Sequence, residues 1–155
     1  MAKVEIGHEV EDFSAPITGA ETFQLSAHRG KNIIVYFYPK DNTPGCTTEG
    51  QNFRDLYPDF TALNTIVVGV SKDSLRTHEN YKAKHNFPFE LITDPDETVC
   101  KHFDVIKLKK LYGKEYMGIE RSTFLIDTQG VLRQEWRKVK VKGHADAVLE
   151  AVKAL

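Results

Sequence analysis

Ile33-Ile34-Val35-Tyr36-Phe37-Tyr38-Pro39-Lys40-Asp41-Asn42-Thr43-Pro44-Gly45-Cys46 is the stretch that decides the architecture. Its first six residues form an unbroken apolar run rich in β-branched and aromatic side chains, the pattern of a strand buried on both faces. Pro39 ends that run, and the seven residues from Pro39 to Gly45 are dense in turn formers. A helix is expected next. Thr43 can cap it, Pro44 suits its first turn, and Phe53, Leu56, Tyr57 and Phe60 recur at helical spacing. The strand thus delivers Cys46 to the first turn of a helix.

Upstream, Gly7, Pro16 and a turn at Thr18-Gly19 read as a lead-in and hairpin. Downstream, a second buried strand is expected over 65–70, followed by a helix over 75–84 capped by Ser71 or Asp73. A short strand at 89–92 precedes a helix that starts at Asp94-Pro95-Asp96 and carries Val99, Cys100 and Phe103. Strands at 122–126 and 131–139 flank the turn Asp127-Thr128-Gln129-Gly130. An amphipathic helix over 144–155 places Ala147, Val148, Ala151, Val152 and Leu155 on one face. Trp136 and the aromatic residues of the first strand read as core. The expectation is an α/β fold of one domain spanning 1–155, with a central mixed sheet and helices on both faces, in a thioredoxin-like layout. Fold alone does not give function.

The chain has 155 residues, of which 41% are apolar and 28% charged, ordinary values for a globular domain. Its 21 basic and 22 acidic side chains leave a formal charge of -1, which offers no electrostatic footprint for nucleic acid or an anionic membrane. Lys107, Lys109, Lys110 and Lys114 cluster locally and read as a solvated loop rather than a binding patch. No apolar run approaches the ~18 residues of a membrane span. The first residues, MAKVEIGHEVEDF, lack the apolar core of a signal peptide, so the expected location is the cytoplasm. Two cysteines in a reducing compartment are rarely a structural staple, and each reads as reactive, metal-binding or simply buried.

A thiol at a helix N-terminus faces unpaired backbone N–H groups and the positive end of the helix dipole. Thiols in such sites titrate at roughly 3.5–7.5 rather than about 8.5. Ionisation alone does not make a thiol fast, because nucleophilicity falls with pKa. The remainder must come from donors that stabilise the charge developing on the oxygens of the group under attack. Candidate donors are loop N–H groups, the Thr43 hydroxyl and a cation. Arg121, which opens the strand Arg-Ser-Thr-Phe-Leu-Ile-Asp, can donate to sulfur and oxygen together. Glu49, one turn after Cys46, reads as a residue that steadies the loop with Pro44 and Gly45. Cys100-x-His102 is too sparse for a zinc site, and none of the six histidines is assigned to catalysis; His144 reads as flanking the last helix.

Pro39-x-x-x-Thr43-x-x-Cys46 resembles the peroxiredoxin active-site motif, and YFYPKDNTPGCTTE is similar to that of the peroxiredoxin Q class, also called bacterioferritin comigratory proteins. The likeness continues through VVGVSKDS, ITDPDETV, Gly118-Ile119-x-Arg121-Ser-Thr-Phe-Leu-Ile-Asp and the Lys-Gly-His144 run, and so covers essentially the whole chain. The resemblance implies a thioredoxin fold, reduction of hydrogen peroxide and organic hydroperoxides, and no cofactor or metal. It implies that Cys46 is the peroxidatic cysteine, that Thr43 bonds substrate and sulfur, that Pro39 shields the thiolate, and that Arg121 activates it. It implies a Cys46 sulfenic acid resolved by a thiol, with a thioredoxin-type donor as reductant. A monomer or weak dimer is expected.

Many relatives carry a resolving cysteine five residues after the first, where this chain has Gln51; others carry it near Lys82. Cys100 is the only other thiol, and it reads as a packing cysteine, with a resolving role as the alternative. The expected cycle therefore uses one cysteine and an external thiol. Two rival readings are a thioredoxin-fold disulfide reductase and a non-enzymatic binding module. The first lacks Cys-x-x-Cys, because position 49 is Glu, and the second does not need Thr43, Cys46 and Arg121 together.

Overall fold

The computed structural model describes residues 2–155. The hairpin β1 (Ser14–Ile17) and β2 (Glu21–Gln24) is followed by a short 3-10 turn at Leu25–His28. Then come β3 (Asn32–Phe37), α1 (Pro44–Ala62), β4 (Thr65–Ser71), α2 (Leu75–His85), β5 (Glu90–Thr93) and α3 (Thr98–His102). A second hairpin, β6 (Ile106–Leu111) and β7 (Lys114–Ile119), precedes β8 (Ser122–Ile126), β9 (Leu132–Trp136) and α4 (His144–Lys153). Seven strands form one sheet in the order β2-β1-β5-β4-β3-β8-β9, with β6 and β7 paired separately. β3, β4 and β5 run parallel, while β1, β8 and β9 join antiparallel to their neighbours, so the sheet is mixed as expected.

The apolar run of β3 explains its central place. Ile33, Val35 and Phe37 enter one core; Ile34, Tyr36 and Tyr38 enter the other. A strand covered on both faces needs apolar side chains at every position, because its period of two sends alternate residues to opposite sides. The two cores are unequal. One is covered by α1, α2 and α4, with Phe53, Phe60, Tyr81 and Val148 buried there. The other is closed by α3, by the 3-10 turn and by the segment holding Val10 and Phe13.

Three local expectations are corrected. The cap of α2 is Ser74, whose Oγ accepts from the Thr77 N–H at 3.2 Å. Ser71 and Asp73 bond each other instead, at 2.5 Å. The lysine cluster is a strand pair rather than a loop. Tyr112 and Gly113 both have positive φ (51° and 77°), the two-residue turn that suits the twist of a hairpin. On α4 the buried stripe is Ala145, Val148, Leu149 and Val152, while Ala147 and Leu155 are exposed. His144, held at the helix start by Thr123, sets that rotation. Trp136 is half-buried against the α1/α4 core, and β9 ends at it. Among the described residues no helix is long and apolar enough to cross a membrane.

Candidate active site

The site lies where the parallel strands end and α1 begins. β3 closes at Phe37, Tyr38 continues its direction with an N–H bond to Val70 O (3.1 Å), and half-buried Pro39 starts the loop. Thr43 is the N-cap and Pro44 the first helical residue. The first helical backbone bond runs from the Thr47 N–H to Thr43 O at 2.9 Å. Proline has no N–H, so Gly45 and Cys46 supply the unpaired amides of this turn. Thr43 does not cap through its side chain; its hydroxyl donates to Lys40 O at 2.8 Å. Its proton is therefore committed to the loop, and its lone pairs are what it offers outward.

Cys46 is free and only 2% exposed. Arg121, immediately before β8, donates from Nη2 to Cys46 Sγ at 3.4 Å and from Nη1 to Glu49 Oε1 at 2.7 Å. β8 pairs directly with β3, which brings a residue 75 positions away onto the cysteine. A Cβ on Gly45 would sit 3.4 Å from Arg121 Nη2, in ordinary van der Waals contact.

Glu49 points inward at 1% exposure, and its Oε2 has no hydrogen-bond partner among the described residues. Burial pushes its carboxyl up to about 7, against the opposing pull of Arg121. The arginine shows the reverse balance. Burial lowers its pKa, yet the charges of Glu49 and Cys46 outweigh that and raise it. The two agree once exposure is compared. Arg121 keeps 17% of its side chain in solvent and is cheaply solvated, whereas the carboxylate is not. The reading of Glu49 as a loop support is replaced by a more specific contact: it fixes the guanidinium that reaches the sulfur.

Cys100 is not brought to the site. It belongs to the core on the opposite face of the sheet from Cys46, at 0% exposure. Burial, and then the Asp94 carboxylate that accepts from its backbone N–H at 2.7 Å, push its thiol up. His144 also borders the site. Its Nε2 pairs with Thr123 Oγ1 at 2.8 Å, and its ring stands edge-on to Phe53 and Trp136. Burial and then the Arg121 charge push it down to about 4, so it stays neutral. A groove of about 630 Å³ runs along the outside of the first turn between Pro44, Gly45, Leu56, Val141 and Gly143. Cys46 is not part of its wall.

Two contacts had no sequence signal. Tyr81 on α2 donates to Thr47 Oγ1 at 3.3 Å, and Lys109 on β6 donates to Ile119 O at 2.9 Å. The first joins α2 to α1, 34 residues away, and the second crosses the β6–β7 hairpin.

The AhpC/TSA family model matches residues 6–135. The chain is 52% identical over 150 residues to peroxiredoxin Bcp of Bacillus subtilis, covering 97% of this chain and 96% of that protein. It is 50% identical over 153 residues to peroxiredoxin Bcp of Xanthomonas campestris, covering 99% and 96%. Among solved structures, Xanthomonas campestris peroxiredoxin Q superposes with a TM-score of 0.90 at 50% identity, covering 99% of this chain and 97% of that one. The bacterioferritin comigratory protein of the same organism, solved as trapped intermediate and ligand complexes that address its alkyl peroxide reduction activity, gives 0.90 at 49%, covering 99% and 98%. By the family match, by identity along nearly the full length and by shared fold, the chain belongs to the AhpC/TSA family as a peroxiredoxin of the Bcp, or peroxiredoxin Q, group.

Proposed function

We propose that this chain is a thiol peroxidase in which Cys46 attacks hydrogen peroxide and organic hydroperoxides. The observation that carries the reading is the Arg121 fork, which spans Cys46 Sγ and a buried Glu49 at the first turn of α1. Sulfur attacks the distal peroxide oxygen; an S–O bond forms as the O–O bond breaks. Sulfur is oxidised by two electrons to a sulfenic acid, and the peroxide leaves as water or an alcohol after taking a proton. Thr43, with its own proton given to Lys40 O, accepts a hydrogen bond from the peroxide O–H and so orients the substrate. The Gly45 and Cys46 amides and Arg121 donate to the charge that grows on the oxygens, the interaction that lowers the barrier. Half-buried Pro39 limits water at the sulfur.

Cys100 on the far face of the sheet supports a one-cysteine cycle. An external thiol, of the thioredoxin type or a small molecule, attacks the sulfenic sulfur and releases water. A second thiol then frees Cys46 from the mixed disulfide. Such a cycle suits a reducing cytoplasm and needs no permanent subunit partner, in line with a monomer or weak dimer.

The test is intact mass after one equivalent of hydrogen peroxide, with and without a dimedone-type trap. The expected product is a single adduct on Cys46 with Cys100 free. Loss of two hydrogens with no adduct means that Cys100 resolves Cys46 and the one-cysteine cycle is wrong.

A further inference from the structure

The loop that presents Cys46 is tied down by a buried group that the mechanism above does not use. Asp41 lies in this loop, and His78 lies on α2; both side chains are fully buried. His78 Nδ1 meets Asp41 Oδ2 at 2.6 Å, and His78 Nε2 meets Ile92 O on β5 at 2.9 Å. A carbonyl only accepts, so Nε2 carries a proton; a further proton is shared between Nδ1 and Oδ2. The Tyr38 hydroxyl donates to the other oxygen, Asp41 Oδ1, at 2.6 Å. The Asp41 N–H donates to Asp73 Oδ2 at 2.9 Å, and Thr93 Oγ1 donates to Asp73 O at 2.5 Å. One loop residue is thereby fastened to β3, α2, β5 and the end of β4.

The next residues are held differently. Asn42, at φ 64°, Pro44 and Gly45 are exposed, and the Thr43 side chain bonds only backward to Lys40 O. The anchored and unanchored parts of the loop meet between Asp41 and Asn42. Cys46, at 2% exposure, cannot be reached by a bulky thiol unless the turn beyond that boundary opens.

We infer that His78 is a positioning residue for Cys46: through Asp41 it fixes the near end of the active-site loop, so that the first turn of α1 closes on Arg121 and opens only beyond Asp41. This deepens the peroxidase reading and rests on it. Losing a partner of a buried hydrogen bond leaves a polar group unsatisfied, enough to bias a loop between two arrangements.

Two replacements of similar polarity separate the inference from a general packing role. In His78→Asn the amide nitrogen falls near the place of Nδ1 and keeps the donor to Asp41. In His78→Gln it falls near Nε2 and keeps the donor to Ile92 O. Each variant, with His78→Leu, is assayed for the rate at which a bulky maleimide labels Cys46, read by peptide mass under native conditions. Each is also assayed for the rate of Cys46 oxidation by hydrogen peroxide. Gln and Leu are expected to label about tenfold faster and oxidise about tenfold slower, the equivalent of ~1.4 kcal/mol. Asn should stay within about threefold of wild type in both, since it retains the contact that acts on Asp41. Equal behaviour of Asn and Gln, or unchanged labelling in Gln, overturns the inference. Should the His78 variants not fold, Tyr38→Phe removes only the other bond to Asp41 and is expected to speed labelling; unchanged labelling there overturns it equally. A wild-type protein no faster with peroxide than a free thiol sinks the peroxidase reading, while the Asn and Gln labelling contrast still decides the role of His78.

Discussion

Glu49→Gln isolates the cost of keeping a carboxylate behind Arg121. The glutamine oxygen can still accept from Nη1 at the position where Oε1 sits 2.7 Å away, and its amide replaces an oxygen that has no partner. The glutamate carboxyl is raised from 4.5 to about 7, with burial as the larger cause and Arg121 opposing it. A group raised in the folded state contributes its full stability below its unfolded pKa and loses that contribution as pH climbs through the folded value. The wild-type protein should therefore lose stability relative to the variant between 4.5 and about 7. The loss amounts to about 3–4 kcal/mol at most, since each pKa unit is ~1.4 kcal/mol. Urea denaturation of both proteins across that window, with other titrations cancelling in the difference, measures it. A difference that stays flat with pH, or shrinks as pH rises, refutes the argument and means that attraction to Arg121 outweighs burial.

Replacing Arg121 by Ala should slow Cys46 oxidation by about 10²-fold, the usual cost of removing one donor from a developing oxyanion. Stopped-flow mixing with peroxide checks this, and an unchanged rate removes the residue from the mechanism. Cys100→Ala is expected to keep peroxidase turnover with an external thiol within about twofold of wild type, and to lower the urea midpoint because a fully buried side chain is trimmed. Gly50→Ala should destabilise the protein by about 1–3 kcal/mol in the same urea assay, because overpacking forces its neighbours to shift. The added Cβ would lie 2.6 Å from the Phe87 ring. An unaltered midpoint would show that α1 can retreat from that ring.

Much of this molecule was legible in the chain because its main signals are local. The β3 run, the turn residues from Pro39 to Gly45 and the helical spacing of Phe53 and Phe60 each state a conformation within a few residues. What stayed hidden depends on side chains meeting across the sheet. Nothing near Glu49 announces that Arg121 lies 2.7 Å away, and nothing near Asp41 announces His78. The β6–β7 hairpin is obscured because four lysines interrupt its apolar residues and it pairs only with itself. Its signal was the Tyr112-Gly113 turn. The buried face of α4 is hard to read from the chain because His144, a polar residue, is buried at its start.

The division of the interior by the sheet gives the chemistry a population-level meaning. Cys46 and Cys100 sit on opposite sides of seven strands, and in the one-cysteine cycle proposed above an oxidised Cys46 has no thiol of its own chain to turn to. Its fate becomes a race between two solutes. A thiol returns it to the cycle, and a second peroxide carries it to the sulfinic state, from which few systems recover a cysteine. The ratio of thiol to peroxide around the molecule, together with how readily the turn at Cys46 opens to a thiol, then sets how many turnovers each copy completes before it is spent.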